Sequence, residues 1–423
     1  EDPVDGNLLF AGTEFGCFFT VDGGKKWVQL KGGLPTIAVR DIAIQKREND
    51  LVLGTFGRGF YVLDDYTALR AITPEILARE AQIFPVRDAL MYIESRPYGL
   101  AGKGFQGESF YAAPNPPFGA SITYYLRDVP KTRKEARAER EKEMLKKGEK
   151  PPYPTYGELK IEDEEEQPSI TFVVTDDSGN VVKRLKGTLS KGINRVTWNL
   201  RYSSLKPARL REEPADVFTA GDESPLAMPG NYRVRMEETV DGKTREVGNS
   251  VGFSARVLAN SSLPASDRGA LLAFQEKVAS LQRAVLGATQ LVSDVQGRLA
   301  LIRKSLQELR SPAAALLATV DSLDEGMRDA ARVLQGDRTL SSRSEGAPPS
   351  VNDLVNGIVD DEWQSSGAPT QTQIDAYSTA GDEFAPVLAR LRVMVDVTLK
   401  NLESSLERLG APWTPGRVPE WAK

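Results

Sequence analysis

Histidine is absent from this 423-residue sequence, and cysteine occurs once, at Cys17. Without histidine, these residues cannot provide a Ser-His-Asp triad, a Cys-His dyad or a His-ligated metal site. A single cysteine forms no internal disulfide and no cysteine-rich zinc site. Because Cys17 lies in a predicted strand, we expect a buried apolar side chain rather than a nucleophile. Any chemistry within these residues would have to use carboxylates, lysine, arginine or tyrosine.

Long hydrophobic runs and an excess of basic residues are also missing. No apolar run approaches the ~20 residues of a membrane span, and no signal-peptide pattern opens the sequence. The net charge of -5 and the pI of about 5.3 argue against nucleic acid as a partner, because phosphate binding needs a basic face. With 40% hydrophobic and 27% charged residues, the chain is predicted to be globular and long enough for several domains.

The stretch TVDGGKKW, residues 20–27, predicts a tight turn between two strands. Apolar residues precede Asp22, two glycines give the backbone freedom to turn, and Trp27 opens the next strand. We expect the Asp22 carboxylate to accept hydrogen bonds from turn amides and Trp27 to pack against the turn. Both roles are structural.

A repeat at an offset of 42 residues extends this observation, since NLLFAGTEFGCFFTVD returns as NDLVLGTFGRGFYVLD. The matched pairs are Asn7/Asn49, Leu9/Leu51, Gly12/Gly54, Thr13/Thr55, Phe18/Phe60 and Asp22/Asp64. A period in the low forties with about four short strands is typical of a β-propeller blade. Since a propeller needs about four to eight blades, we expect these residues to be the last blades of a longer protein whose earlier blades precede them.

Residues 80–260 alternate short apolar and polar runs bounded by Gly, Pro, Asp or Asn, as a β-sandwich does. The DDSGN turn predicts a hairpin, and Trp198 and Tyr232 are expected to face the core. An insertion, 131–167, interrupts this pattern with a predicted charged helix and an acidic linker. It is interpreted as a solvated excursion, with a charged docking arm as the alternative. Residues 204–228 are predicted to be a long surface loop.

The last third of the sequence is predicted to be helical. Apolar residues recur at spacings of three and four from Leu271 to Leu309, which predicts one helix of about 60 Å. Similar seams run from Leu316 to Leu334 and from Phe384 to Leu409, and Ser350 is a candidate cap for a short helix between them. We expect an internal antiparallel bundle, with an intermolecular coiled coil as the alternative.

Together these segments resemble known families. Thr20, Asp22, Gly24 and Trp27 match the Asp box of sialidase-like and sortilin-like propellers. The DxxGN hairpin, Gly192, Asn194, Trp198 and the Pro229–Tyr232 run resemble a FlgD-like immunoglobulin module. The order of segments, ending in GAPWTPGRVPEW, is similar to the C-terminal region of large bacterial exported BNR-repeat proteins, often labelled glycosyl-hydrolase-like. Relatives commonly carry histidine in the GTFGRG stretch, where this sequence has Phe56.

The predicted fold is multidomain β plus α. Its expected parts are incomplete propeller blades (1–70), an immunoglobulin-like β-sandwich (80–260) with the charged insertion (131–167), an antiparallel helical bundle (264–412) and a C-terminal tail (413–423). We expect no catalytic, cofactor-binding or metal-binding residues, and no cofactor. The resemblance implies a periplasmic or extracellular protein whose signal peptide belongs to the missing N-terminal part.

The function expected is that of a non-catalytic scaffold or accessory subunit that binds protein partners in a larger assembly, the missing blades being one candidate partner. Two alternatives stay open. A sialidase-like glycoside hydrolase would need a facing pair of carboxylates, for which Glu14, Asp64 and Asp65 are candidates. A carbohydrate-binding module would show exposed aromatic residues on a sandwich face, whereas Tyr124, Tyr125 and Trp198 are explained as core.

Overall fold

The computed structural model describes residues 1–94, 107, 113–208, 224–258, 264–309 and 313–421. The chain divides into two compact units. The first comprises the described residues within Glu1–Tyr92, Gln106–Arg201 and Pro229–Ala259, and the second those within Ile93–Phe105, Tyr202–Met228 and Asn260–Lys423. Most of the predicted surface loop 204–228 lies outside the described residues.

The first unit begins with two three-stranded antiparallel sheets. Their strands are β1 (Leu9–Thr13), β2 (Gly16–Thr20) and β3 (Val28–Gln29), then β4 (Val39–Gln45), β5 (Asp50–Thr55) and β6 (Phe60–Leu63). The two copies of the repeat fold alike, since β1 pairs with β2 as β5 pairs with β6. One apolar core serves both sheets: Leu8, Cys17, Val39, Leu51, Leu53, Tyr66 and Leu69. Cys17 is buried, as expected, and burial raises the pKa of its thiol to about 11.

Two further sheets complete the first unit, one of order β11-β10-β13-β14-β8 and one of order β12-β9-β7. Their strands are β7 (Ala81–Ile83), β8 (Ala89–Met91), β9 (Ala120–Leu126), β10 (Ser169–Asp176), β11 (Val181–Gly187), β12 (Gly192–Trp198), β13 (Gly230–Val240) and β14 (Lys243–Val257). Aromatic rings join the two sheets: Trp198 meets Tyr232 with ring centroids 4.8 Å apart, and Tyr124 meets Phe172 at 4.6 Å. Trp198 and Tyr232 are buried, as predicted.

Short helices connect the sheets of the first unit. A 3-10 helix (Tyr66–Ala71) and α1 (Pro74–Ala78) follow β6, and the charged insertion forms α2 (Arg133–Lys146) and α3 (Tyr156–Asp163). The acidic linker predicted at the end of the insertion is wrong for residues 158–163, which belong to α3. A capping box explains the helix: Thr155 accepts a hydrogen bond from the Glu158 amide, and the Glu158 carboxylate accepts one from the Thr155 amide.

The second unit consists of helices packed around one apolar core. They are α4 (Arg268–Gln307), α5 (Ala314–Gln335), α6 (Arg338–Ser341), α7 (Val351–Glu362), α8 (Gln371–Val393), a π-helical segment (Met394–Leu399) and α9 (Lys400–Arg408). Helix α6 is a single turn. Asp337 caps it by accepting a hydrogen bond from the Thr339 amide. Ser350 caps α7, as predicted.

Side-chain contacts along α4 give the direction of the other helices. Arg303, late in α4, pairs with Asp321, early in α5, and Gln275, early in α4, bonds to Glu362 at the end of α7. Helices α5 and α7 therefore run antiparallel to α4, one after the other. Phe274 meets Tyr377 in α8, and Arg298 pairs with Glu403 in α9. The last helices therefore run parallel to α4, which gives an up-down-up bundle whose middle segment is broken in two.

The residues after α9 fold back onto the bundle. Ser305 donates a hydrogen bond to the Pro412 carbonyl at 2.8 Å, and the Trp413 indole donates one to the Arg417 carbonyl at 2.9 Å. The guanidinium of Arg417 is buried and lies 3.3 Å from Glu407. These three polar contacts therefore help to hold residues 412–417 in place.

Candidate functional site

The turn at residues 20–27 uses its polar side chains to hold its own backbone. The Asp22 carboxylate accepts hydrogen bonds from the Lys25 and Lys26 amides, both at 3.0 Å, and from the Thr20 hydroxyl at 2.6 Å. The Thr20 and Lys26 bonds lower the pKa of Asp22. The Trp27 indole lies against the turn. Asp22 thus makes the turn contacts that the sequence predicted.

Two candidates for a glycosidase pair, Glu14 in the β1–β2 turn and Asp64 after β6, lie near opposite ends of β5. Glu14 is 3.4 Å from Arg40, which lies beside the last residues of β5, whereas Asp64 lies beside the first residues of β5. Four residues of β5 separate the two ends, which is about 14 Å at ~3.4 Å per residue. A glycosidase pair needs ~5 to 9.5 Å, so this separation of the two ends gives no support to a pair of Glu14 and Asp64.

Asp64 instead has Asp50 as its acidic neighbour. Burial, and then the charge of Asp50, raise the pKa of Asp64. Asp50 accepts a hydrogen bond from the Asp65 amide at 3.0 Å, and Asp65 caps the following helix through Thr67. Arg195, from β12, donates to the Asp64 and Asp65 carbonyls at 2.9 and 2.8 Å. This cluster therefore joins β6 to the β12 sheet.

A cavity of about 570 Å³ opens at the end of the β10–β11 hairpin. Three aspartates line it, and each already has partners. Asp176 accepts hydrogen bonds from turn amides, Asp177 accepts one from Asn231, and Asp88 pairs with Arg256 at 2.8 Å. The cavity thus holds no unpartnered carboxylate among the described residues.

Exposed aromatic residues gather where the β1–β2 and β5–β6 hairpins turn. Phe15, Phe56 and Phe60 are 68%, 69% and 79% exposed. Arg40 connects the two turns, because its guanidinium pairs with Glu14 and lies 5.6 Å from the centre of the Phe56 ring. We call Phe15, Arg40, Phe56 and Phe60 the hairpin-tip surface.

The repeated threonine gives both turns of the hairpin-tip surface a defined backbone. Thr13 donates to the Gly16 carbonyl at 3.0 Å and accepts from the Phe15 amide at 3.1 Å. Its repeat equivalent, Thr55, donates to the Gly59 carbonyl at 2.7 Å. Sequence reasoning did not assign this surface, although the repeated Gly-Thr with nearby phenylalanines was its signal. Large apolar side chains held on short turns are available to a partner without further ordering.

The charged insertion is a pair of helices held together by ion pairs. Arg137 on α2 donates two hydrogen bonds to Glu162 on α3, at 2.7 and 2.8 Å, and one to Glu141 at 2.7 Å. Arg133 reaches Asp241, in the turn between β13 and β14, at 2.9 Å. The bonds from Arg137 lower the pKa of Glu162. The start of α2 is thus tied both to α3 and to the sheet.

Among the described residues, no group of three or more cysteine, aspartate and glutamate side chains is placed to hold a metal ion. None of the helices described combines the length and the apolar composition needed to cross a membrane. No family model, no curated protein and no solved structure matches the chain.

Proposed function

We propose that this chain is a non-catalytic extracytoplasmic scaffold or accessory subunit that binds a protein partner through the hairpin-tip surface. The proposal includes the resemblance to the last blades of an Asp-box propeller, followed by a FlgD-like immunoglobulin module and a helical bundle. The observation that carries the proposed function is the exposure of Phe15, Phe56 and Phe60 around Arg40. Earlier propeller blades of the same assembly are one candidate partner, and a periplasmic or extracellular location goes with this proposal.

The composition of the surface supports protein binding. Aromatic residues and arginine are enriched at the energetic centres of protein interfaces. Burying one phenylalanine of this size contributes roughly 1.5 to 3 kcal/mol, so three of them can stabilise a complex with a small contact area. Arg40 adds a charged donor held between Glu14 and Phe56.

Photo-crosslinking in the cells that make the protein tests the proposal. A crosslinking residue at position 56 should give an adduct of one defined mass, and the same residue at position 47 should not. Arg47 is a matched control because it is exposed and lies in the turn at the other end of the same sheet. Once the partner is identified, Arg40→Glu should weaken its binding at least about tenfold, while Arg47→Glu should leave it unchanged. Equal adducts from both positions would contradict a binding role for the surface.

A glycoside hydrolase is the second candidate, favoured by the raised pKa of Asp64 beside Asp50. A raised pKa is what a general acid needs at neutral pH. The purified chain is nevertheless expected to hydrolyse neither sialosides nor β-glucans above a blank. Turnover that disappears in Asp64→Asn but survives Glu14→Gln would replace the scaffold proposal with this one.

A carbohydrate-binding module has less support. Tyr124 and Trp198 are buried between the two larger sheets, and Tyr125 is partly buried and donates a hydrogen bond to the Leu77 carbonyl at 3.1 Å. The aromatic side chains that such a module would expose on its sandwich are used here for packing.

A further inference from the structure

The paired helices α2 and α3 differ between their base and their far end. At the base, beside the sheets, three cations have acidic partners: Arg133 reaches Asp241, Arg137 reaches Glu162, and Lys131 pairs with Glu139. The far end comprises the last turn of α2, the connection and the first residue of α3. We call it the arm tip and define it by Lys142, Leu145, Lys146, Lys147, Lys150, Tyr153 and Tyr156.

The arm tip is exposed and its cations are free. Leu145, Tyr153 and Tyr156 are 62%, 88% and 83% exposed, among the most exposed large side chains in the described part of the chain. Within the described residues, none of its four lysines has an ion pair or a side-chain hydrogen bond. Two glutamates, Glu143 and Glu149, lie in the same stretch, so residues 142–156 carry four positive and two negative charges.

We propose that the arm tip binds the surface of a membrane that contains anionic phospholipids. Clusters of four or more lysines attract such surfaces, and tyrosine favours the boundary between headgroups and acyl chains because its ring is apolar and its hydroxyl polar. Leu145 and the two tyrosines supply the apolar contact that accompanies the charge. This inference does not depend on the hairpin-tip surface.

The choice of lysine favours lipid over an acidic protein surface. Lysine is depleted in protein interfaces and arginine enriched, because a guanidinium recognises carboxylates in a fixed geometry whereas an ammonium acts as a hydrated point charge. Helices α2 and α3 and their connection separate arginine from the lysines of the arm tip in the same way. Its arginines, Arg133, Arg137 and Arg140, all lie towards the base, whereas the arm tip has lysine only. A fluid layer of headgroups suits mobile point charges that lack a fixed partner.

Vesicle flotation with the full chain tests the proposal. The probes are vesicles of phosphatidylglycerol and phosphatidylcholine at equal amounts, and vesicles of phosphatidylcholine alone. Each lysine near an anionic surface contributes about fivefold in affinity, so a net charge of two predicts roughly thirty-fold stronger binding to the anionic vesicles. Raising the salt from 50 to 500 mM should remove most of this preference, because the charges are exposed.

Three variants locate the binding. Replacing the four arm-tip lysines by glutamine should abolish the preference for anionic vesicles. The triple change Leu145→Gln, Tyr153→Ser and Tyr156→Ser should weaken binding about tenfold or more while keeping its salt dependence. The matched control replaces four exposed lysines on and between the first two sheets, and should bind as the unchanged chain does. These are Lys25, Lys26, Lys31 and Lys46. All replaced side chains are exposed, so unchanged circular dichroism should confirm that each variant folds.

Two results would overturn the proposal. One is equal binding of the arm-tip lysine variant and the control variant to anionic vesicles. The other is absence of vesicle binding together with a protein adduct from a photo-crosslinker at position 145 in cells, which would assign the arm tip to an acidic protein instead.

Discussion

The two compact units differ in how their apolar side chains form a core. The helical unit gathers its apolar residues into one core that runs through α4, α5, α7, α8 and α9. In the first unit, the two small sheets have an apolar core of their own, and the two larger sheets meet through aromatic rings. A helix satisfies its backbone hydrogen bonds internally, so helices can share one continuous core, whereas each sheet has edges and turns that need other partners.

In the first unit, hydrogen bonds and ion pairs between side chains and neighbouring elements connect the sheets and turns. Asp2, whose side chain is fully buried, accepts hydrogen bonds from Tyr66 at 2.6 Å and from Arg70 at 2.7 and 2.9 Å, which closes the start of the chain onto the helix after β6. Arg195 joins that region to β12 through the Asp64 and Asp65 carbonyls. A single substitution in the apolar core should therefore destabilise the helical unit as a whole. In the first unit, removal of one polar contact should reduce the stability only by the contribution of that contact.

The largest effect is expected from Leu299→Asp. Leu299 is 1% exposed in the second half of α4, and a carboxylate there would lie in the apolar core. We expect a loss of more than about 4 kcal/mol of unfolding free energy, enough to unfold the helical unit. Urea unfolding followed by circular dichroism measures this, with Leu301→Asp as the control because Leu301 is an exposed residue of the same helix.

An isolated fragment sharpens this prediction. Residues 264–412 should be monomeric, helical and cooperatively unfolding, since the α4 seam is buried within the chain. Concentration-dependent oligomers that Leu299→Asp disperses would instead assign the seam to a partner chain.

Gly119→Ala should have the next largest effect and should act at one contact between the neighbouring strands β9 and β12. The φ angle of Gly119 is +125°, and a Cβ there would lie 1.9 Å from the Trp198 carbonyl oxygen, so the backbone would have to move. We expect a loss of roughly 3 to 4 kcal/mol. Gly32→Ala is the matched control, because Gly32 also has a positive φ but no atom within 4 Å of its Cβ position, and should cost only about 1 kcal/mol. Equal losses would show that strain alone, without the contact, sets the effect.

Asp2→Asn should cost about 2 kcal/mol and remove a pH dependence. Burial acts to raise the pKa of Asp2, but hydrogen bonds from Arg70 and Tyr66 outweigh it and lower the pKa to about 2. Because the pKa of Asp2 is lower in the folded state than its value of 3.8 in the unfolded state, the ionised carboxylate stabilises the folded state at pH values above 3.8. This stabilisation is lost as the pH falls from about 4 to about 2. Unfolding free energies between pH 2 and 6 should show this loss in the unchanged chain and in the control Asp5→Asn, but not in Asp2→Asn.

Glu362→Gln should have the smallest effect on the free energy of unfolding, and it should raise that free energy where the other substitutions lower it. Burial raises the pKa of Glu362 above 4.5, and Gln275 lies 3.4 Å from its carboxylate. A carboxyl whose pKa is raised by folding stabilises most below its unfolded pKa and loses that contribution as the pH rises through the folded value. The glutamine variant should therefore be about 1 kcal/mol more stable than the unchanged chain at pH 8 and equal at pH 4. Glu383→Gln, an exposed change on α8, should be neutral at both pH values.

The local parts of this fold follow from short stretches of sequence. The unbroken three-and-four spacing predicted α4, because one face of a helix must be apolar to be buried. The hairpin at Asp176, the cap at Ser350 and the turn contacts of Asp22 followed from side chains that bond to backbone a few residues away. The coarse class, β plus α, was predicted in the same way. The missed helix α3 had its own signal in Thr155 and Glu158, which an acidic run concealed.

Only the tertiary structure decided which distant side chains meet. Sequence could nominate Glu14 and Asp64 as a pair, but strand pairing sets them at opposite ends of β5. The packing of separate sheets brings Arg40 between Glu14 and Phe56 to form the hairpin-tip surface, and Arg195 across 130 residues to Asp65. Hydrophobic spacing and caps act within about one turn of the chain, so the sequence by itself determined the elements of this protein. Their contacts depend on how whole sheets and helices pack, a balance of many weak terms that no short stretch contains.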